Sequence, residues 1–252
     1  MIDTHCHLDL EPLVSSLPQI LQEAAAAGVT GFVLPGVHPD GWQRIAALTA
    51  EHHQILPAFG IHPMHASCAH GRNMATLTEL APHGIAIGEI GLDPAYTVQP
   101  AVQEAAFREQ LRLAVKLGLP VLVHCRRAFE RILTIMREER AAQAGGIMHA
   151  FSGSPEMARE FIRLGFAISI SGTITWTNAV RPLRLAGETA PEHLVLETDA
   201  PDMAPQPYRG RFNRPAWMVA TAERLAEIRG ISPETVAATT TANARRVLRL
   251  SV

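Results

Sequence analysis

Residues 2–7 read Ile2-Asp3-Thr4-His5-Cys6-His7, a short apolar run that ends in two histidines. Further runs of strand length, rich in Val, Ile and Leu, recur along the chain. They are Gly31–Gly36, Leu56–His62, Ile85–Gly91, Pro120–Cys125, Ile147–Phe151, Phe166–Ile170 and Leu194–Asp199. Near-continuous apolar strands of this kind are typical of a parallel sheet that helices cover on both faces.

Helical patterns lie between these runs, and those that end at Ala27, Leu117 and Leu164 are each followed by a glycine. Glycine adopts, at little cost, the left-handed conformation that commonly terminates a helix. The predicted helices are Leu13–Ala27, Gln99–Leu117, Pro155–Leu164, Ala216–Arg229, Pro233–Thr240 and Asn243–Leu250. A chain of 252 residues with eight βα units predicts a (β/α)8 TIM barrel. A doubly wound open sheet is the alternative fold.

Composition narrows the class of protein. The 22 basic and 24 acidic residues give a net charge of −2, which excludes a polycation that coats nucleic acid. We find no apolar run of about 18 residues that would span a membrane, and residues 1–10 lack the basic region of a signal peptide. We therefore expect one domain over residues 1–252, in the cytoplasm, with no membrane partner; the sequence leaves the oligomeric state open, and a monomer is one option.

Several catalytic signatures are missing from the sequence. The only lysine, Lys116, precedes Leu117, so the Gly-Lys-Ser/Thr of a Walker A loop cannot form. Neither a G-x-S-x-G nor a G-x-G-x-x-G motif occurs. The three cysteines include no C-x-x-C pair, which argues against a disulfide framework or a cysteine zinc site.

The ends of the strand-length runs carry most of the polar groups that can bind a metal. Barrel enzymes build their sites at the carboxyl ends of the strands. Imidazole nitrogens and carboxylate oxygens suit Zn, Mn, Co or Fe, and two metals about 3.5–4 Å apart can activate water at neutral pH. The candidate ligands are His5, His7, Glu89, His124, His149 and Asp199.

A second group of residues is predicted to bind substrate. His62 ends the third run, and Arg126 follows His124 directly. The segment Tyr208–Arg214 contains three arginines and two aromatic residues just after the last run. Arginine matches the geometry of phosphate and aromatic rings stack on bases, so we predict that Tyr208, Arg209 and Arg211 bind an anionic substrate. Two positions before Asp199, Glu197 is a candidate for orienting a ligand, whereas Cys6 and Cys125 are predicted to face away from the site.

Together these segments resemble the TatD family of metal-dependent deoxyribonucleases and hydrolases, and in particular its YjjV-like branch. The resemblance covers essentially the whole chain. The matching motifs are Asp3-Thr4-His5-Cys6-His7, Gly60-Ile61-His62-Pro63, Gly88-Glu89-Ile90-Gly91-Leu92-Asp93, His124-Cys125-Arg126, His149-Ala150-Phe151-Ser152-Gly153-Ser154, Glu197-Thr198-Asp199-Ala200-Pro201 and Tyr208-Arg209-Gly210-Arg211-Phe212-Asn213-Arg214-Pro215.

The resemblance implies a barrel of the metal-dependent hydrolase type that binds two divalent ions (Zn, Mn, Mg, Co or Fe). One ion would be held by His5, His7, Glu89 and Asp199, and Glu89 would bridge to a second ion held by His124 and His149. The implied activity is phosphodiester hydrolysis on single-stranded DNA or DNA ends, for which a 3′–5′ exonuclease mode is one option, with Asp199 and Glu89 as catalytic residues.

Two other functions fit the same residues. One is a two-metal ester, amide or lactone hydrolase that acts on a small molecule or an aminoacyl ester, since a fold does not fix a substrate. The other is a metal-holding binding module without catalysis. Hydrolases that bridge their metals with a carboxylated lysine are excluded, because Lys116 lies near the end of a predicted helix.

Overall fold

The computed structural model describes residues 1–250 and contains a parallel sheet of eight strands in the order β1 to β8. The strands are β1 (Ile2–Asp3), β2 (Gly31–Pro35), β3 (Ile55–Phe59), β4 (Ala86–Leu92), β5 (Val121–Cys125), β6 (Gly146–Met148), β7 (Phe166–Ile170) and β8 (Leu194–Leu196). The helices are α1 (Leu17–Ala26), α2 (Trp42–Glu51), α3 (Gly71–Leu80), α4 (Pro100–Leu117), α5 (Phe129–Glu138), α6 (Pro155–Arg163), α7 (Arg181–Glu188), α8 (Met218–Arg229) and α9 (Pro233–Val247).

The sheet closes on itself where the chain leaves β1 and β8. The amide of Thr4 donates to the carbonyl of Leu196 at 3.0 Å, and the amide of Asp199 donates to the carbonyl of His5 at 2.9 Å. The amide of His7 then donates to the carbonyl of Ala200 at 2.8 Å. These bonds confirm the predicted barrel and rule out the open doubly wound sheet.

A small apolar core fills the barrel, and helix α9 closes one end of it. Each strand contributes one buried residue to this core: Ile2, Val33, Ala58, Ala86, Leu122, Ile147, Ala167 and Val195. Ala244 and Leu248 pack beneath them, and the Asn243 side chain donates to the carbonyl of Leu194, the first residue of β8, at 2.8 Å. The strands have their carboxyl ends at the opposite end of the barrel. That end is therefore where a functional site can form.

Two sequence-based predictions need correction. The helices predicted over Pro233–Thr240 and Asn243–Leu250 are one continuous helix, Pro233–Val247. The side chain of Asn243 binds backbone carbonyls of the barrel instead of capping a new helix. Several strands also end earlier than predicted, so that His5, His7, His149 and Asp199 lie in the loops just beyond β1, β6 and β8. Over residues 1–250, no helix combines the length and apolar character needed to cross a membrane.

Candidate functional site

Glu89 points into the barrel because strand β4 contains an irregularity. Ile87 and Ile90 of β4 are three positions apart, whereas their partners on β5, Val121 and Val123, are two positions apart. Both isoleucines pack in the core shared with the outer helices. Residues three apart in a regular strand point to opposite faces, so the extra residue acts as a bulge that turns Glu89 inward.

Strands β4 and β5 come very close together just after Glu89. Gly91 has a φ of +151°, and a Cβ built there would lie 1.9 Å from the carbonyl oxygen of His124. Only glycine tolerates both this conformation and this approach. A larger residue would force the strands apart and separate Glu89 from His124.

The two histidines after β1 face two carboxylates. His5 Nε2 lies 3.1 Å from Glu89 Oε2 and 3.9 Å from Asp199 Oδ1. His7 Nε2 lies 3.6 Å from Asp199 Oδ1 and 3.9 Å from Glu89 Oε2. His5, His7 and Asp199 thus form one group whose possible ligand atoms are all within 4.8 Å of one another, and they are three of the four residues predicted for the first metal site.

His149 is held so that one ring nitrogen points into the site. Its Nδ1 lies 3.0 Å from Glu197 Oε2, and the amide of Ala150 donates to the other oxygen of Glu197 at 2.7 Å. A neutral imidazole keeps its proton on the nitrogen beside the carboxylate, which leaves Nε2 free to bind a metal. That Nε2 lies 3.6 Å from Glu89 Oε1 and 3.7 Å from Asp199 Oδ1.

His124 lies between two carboxylates. Its Nδ1 is 2.8 Å from Glu89 Oε1 and its Nε2 is 3.1 Å from Asp93 Oδ2. If Asp93 keeps the proton on Nε2, as a carboxylate does for many metal-ligating histidines, then Nδ1 is free to bind a metal next to Glu89. Asp93 was not among the predicted site residues, although it belongs to the Gly-Leu-Asp segment at the end of β4.

His62 also approaches Glu89, but its hydrogen bonding differs from that of His149. Its Nε2 lies 3.5 Å from Glu89 Oε1, and its Nδ1 accepts the amide proton of Met64 at 3.2 Å. The neutral ring must then carry its proton on Nε2, which directs this N–H toward Glu89 at a distance longer than a hydrogen bond. The possible ligand atoms of His62, Glu89 and His124 nevertheless lie within 4.8 Å of one another. His62 was predicted to bind substrate. It is not among the described residues that line the cavity beside His124, His149 and Asp199, so the geometry does not place it on the substrate.

The polar atoms of this cluster fit a bound cation. Most of the nitrogen–oxygen separations around Glu89 and Asp199 fall between 3.5 and 3.9 Å, which is too long for direct hydrogen bonds. The Nδ1 atoms of His5 and His7 are buried without a hydrogen-bond partner. Buried polar groups rarely remain unpaired, and imidazole with carboxylate is a donor set for divalent transition metals.

Both central carboxylates are held in their ionised form. Burial alone would raise the pKa of Glu89, but the imidazoles of His5, His62 and His149 outweigh it and hold that pKa well below its usual value. Burial likewise opposes ionisation of Asp199, yet His149 and His7 lower its pKa. A charged carboxylate pair among imidazoles is the state that binds a divalent cation.

We expect metal binding at pH 7.5 to release protons. Burial lowers the pKa of His124 and His149, but in both the neighbouring carboxylates prevail: Asp93 and Glu89 raise the pKa of His124 to about 9, and Glu197, Asp199 and Glu89 raise that of His149 to about 10. Both rings are therefore protonated at pH 7.5 in the metal-free protein, and a metal must displace those protons. Affinity for Mn²⁺ should rise as the pH rises toward these values.

Titration calorimetry with Mn²⁺ in HEPES and in Tris checks this, because the observed heat depends on the buffer only when protons are released. The same titrations give the number of ions bound, for which we expect two per chain. A heat that is identical in both buffers, or saturation at one equivalent, contradicts the prediction.

A cavity of about 370 Å³ opens above the metal-ligand cluster. Its wall includes His124, His149, Asp199, Arg126 and Trp176. Asp199 is the more accessible carboxylate, with 14% of its side chain exposed against 3% for Glu89. Asp199 also has a φ of +55°, an uncommon backbone conformation of a kind that clusters at functional sites.

The predicted substrate-binding residues meet a tryptophan, Trp176, that was not among the predicted site residues. The Arg209 guanidinium lies 4.2 Å from the centre of the Trp176 ring, and Trp176 lines both the cavity and an adjoining groove that includes Arg209 and Arg211. Tyr208 instead stacks on Trp217 at 4.1 Å. One face of Tyr208 is thereby covered, and Tyr208 is not among the described residues that line the cavity or this groove.

The two cysteines near the site are not nucleophiles. Cys6 is fully buried in the core shared with the helices, as predicted. Cys125 packs in the same core but also forms part of the cavity wall, so the prediction that it faces away from the site was wrong. Burial raises the pKa of Cys125 to about 12. Because the thiolate is the reactive form, Cys125 contributes packing and no reactive sulfur at neutral pH.

A closed parallel barrel with clustered histidines and carboxylates at its carboxyl end defines the class of metal-dependent barrel hydrolases. Residues 2–249 match the family model described as TatD related DNase. The chain therefore belongs to the TatD family, and it is a metal-dependent hydrolase.

Relatives with high coverage include a bacterial hydrolase and a nuclease. The chain is 36% identical to the metal-dependent hydrolase YabD of Bacillus subtilis over the full length of both. It is 35% identical to the 3′-5′ ssDNA/RNA exonuclease TatD of Cronobacter sakazakii, over 91% of this chain and 90% of the relative. The crystal structure of YJJV, a TatD homologue from Escherichia coli K12, superposes with a TM-score of 0.92 at 31% identity and covers 100% of this chain and 98% of its own.

Proposed function

We propose that this protein hydrolyses phosphodiester bonds at the ends of single-stranded DNA, in a reaction that uses two divalent metal ions. The observation that carries the proposal is that three of the six metal-ligand candidates, His124, His149 and Asp199, line a cavity whose wall also includes Arg126 and Trp176. The exonuclease from Cronobacter sakazakii, which is similar over nearly its whole length, supports the same substrate class.

The shape and charge of the cavity favour an unpaired nucleotide. A volume of about 370 Å³ lies within the range of sites for small organic ligands and is too small for a duplex. Trp176 offers an aromatic surface for a base, which stacking can bind without regard to sequence. Arg126 and Arg209 supply positive charge for phosphate. A neutral lactone or amide would leave these arginines without a role, so the geometry favours the diester.

The metal ions would be held as the resemblance to the TatD family implies, and the grouping of His5, His7 and Asp199 within 4.8 Å supports the first of the two sites. His5, His7 and Asp199 would hold one ion, His124 and His149 the other, and Glu89 would contact both. When bound, divalent ions supply Lewis acidity toward phosphoryl oxygens and lower the pKa of water.

The protein's own residues would orient groups and accept the proton. Asp199 is ionised and is the more exposed of the two carboxylates, so its free oxygen can accept a proton from the attacking water. Glu197 and Asp93 would fix the rings of His149 and His124, and His62 would direct its Nε2 toward Glu89. Arg126 would position the scissile phosphate at the mouth of the cavity.

Incubation of the Mn²⁺-loaded protein with labelled substrates tests the proposal. We expect a single-stranded oligodeoxynucleotide labelled at its 5′ end to shorten one nucleotide at a time from the 3′ end, and EDTA to stop the reaction. The same oligonucleotide in a blunt duplex should react much more slowly. Rapid hydrolysis of a lactone or an aminoacyl ester with no cleavage of DNA or RNA would instead establish the alternative function.

A further inference from the structure

Beside the metal-site cavity lies a second and larger one that the proposed function does not use. It has a volume of about 750 Å³ and is formed by the loops that follow β5 and β6 and by the start of α7. We propose that this cavity, the arginine groove, binds the sugar–phosphate backbone of the nucleotides that continue beyond the scissile bond. The inference rests on the proposed nuclease function and extends it.

The arginine groove takes its name from the side chains that line it. Arg126, Arg127, Arg131 and Arg181 all lie in its wall, and Glu130 is the only acidic residue among the described residues that line it. Ser152 and Ser154 also line the groove. Four guanidinium groups facing one carboxylate give a positive surface, although the whole chain has a net charge of −2.

Most of these arginines lack a carboxylate partner. Over residues 1–250, Arg126, Arg127 and Arg181 form no salt bridge, whereas Arg131 pairs with Glu104 on α4. Other exposed arginines on neighbouring helices do pair, as Arg163 does with Glu160. An arginine fork without a protein partner can bind two oxygens of a phosphate, and several such groups in one groove match a repeating phosphate chain.

The groove is continuous with the metal-site cavity. Arg126 and Ser152 line both, so a strand whose terminal nucleotide occupies the cavity would enter the groove directly. Val180, one residue before Arg181, exposes 72% of its surface at the same rim. An unpaired strand presents both phosphates and apolar base faces, which is the combination that proteins bind with arginines and exposed apolar side chains.

The dependence of kinetics on substrate length tests this inference. With the Mn²⁺-loaded wild-type protein, KM should fall as the oligodeoxynucleotide is lengthened from a dinucleotide to a hexanucleotide, with little change in kcat. In Arg127→Ala/Arg181→Ala, KM for the hexanucleotide should rise at least tenfold. The slope of log KM against log salt should fall by about 0.7 for each phosphate that the variant no longer binds. Kinetics on bis(4-nitrophenyl) phosphate, which has no chain to enter the groove, should stay within twofold of wild type.

A matched control removes the same charge elsewhere. Arg163→Ala/Arg224→Ala deletes two exposed arginines that pair with glutamates on their own helices and that do not line the groove. This variant should behave as wild type on both substrates. If wild type cleaves the hexanucleotide and both double variants match it, the groove is not a binding site and the nuclease function stands. If wild type cleaves no oligonucleotide, the proposed function fails and the groove inference fails with it.

Discussion

Asp199→Asn is expected to remove most turnover while leaving the barrel folded. Asparagine keeps the size of the side chain but has neither the negative charge nor the ability to accept a proton. General base catalysis alone contributes about 10²–10⁴ in rate, so kcat for an oligonucleotide should fall by at least about 100-fold. Weaker metal binding would add to the loss, since Asp199 Oδ1 lies within 4 Å of His5, His7 and His149.

The measurement is kcat at saturating Mn²⁺, together with a thermal melt of the metal-free and metal-loaded forms. The metal-free variant should melt close to wild type, because the substitution is nearly isosteric. Asp202→Asn is a suitable control, since Asp202 lies three residues further along the same loop and is exposed. A kcat for Asp199→Asn within threefold of wild type would show that another group accepts the proton.

The fold and the convergence of the candidate ligands follow from the sequence because both depend on a simple repeat. Eight apolar runs separated by helices leave few alternatives to a barrel, and the carboxyl ends of parallel strands meet at one rim. Histidines and carboxylates at these strand ends are therefore predicted to lie close together at that rim, whatever path the loops between the strands take. The structure brings His5, His7, Glu89, His124, His149 and Asp199 together in this way.

The direction in which a side chain points is less predictable. Ile2 faces the barrel interior, so strict alternation would send Cys6 inward and His5 outward. The chain instead leaves the strand after Asp3, and Cys6 packs against the outer core. The bulge in β4 changes the direction of Glu89 in the same manner. The pattern of apolar residues reveals neither the early end of β1 nor the bulge in β4. The glycines on both sides of Glu89 do indicate a close approach of the backbone.

Residues that contribute to the site by contacting another side chain are also difficult to find in a sequence. Asp93 and His124 are 31 residues apart, and Trp176 and Arg209 come from loops after different strands. Their contacts depend on how long loops fold back over the rim, and residue type alone does not encode this. Glu197 was accessible to sequence reasoning because it is two residues before Asp199, so both lie on the same side of one short segment.

Glu89→Gln is expected to disrupt metal binding more severely than any other single change. Glu89 is the carboxylate that all five site histidines approach, from 2.8 Å for His124 Nδ1 to 3.9 Å for His7 Nε2. A neutral amide keeps the shape but offers only one oxygen, and its NH₂ group cannot bind a cation. Both predicted metal sites share this residue, so both should weaken.

The loss of Mn²⁺ affinity expected for Glu89→Gln exceeds the 10–100-fold drop that is typical when the substituted residue only orients a metal ligand. Loss of several kcal/mol of metal-derived stabilisation corresponds to roughly 10³-fold in kcat. Calorimetry with Mn²⁺ and kcat on an oligonucleotide measure the two effects. Asp93→Asn provides the comparison, because it removes a buried carboxylate that pairs with His124 and with no other site histidine and that otherwise accepts a hydrogen bond from the Ala95 amide. This variant should retain two ions at reduced affinity. If Glu89→Gln binds two Mn²⁺ ions as tightly as Asp93→Asn does, Glu89 does not bridge the metals, and the two sites must be held by separate carboxylates.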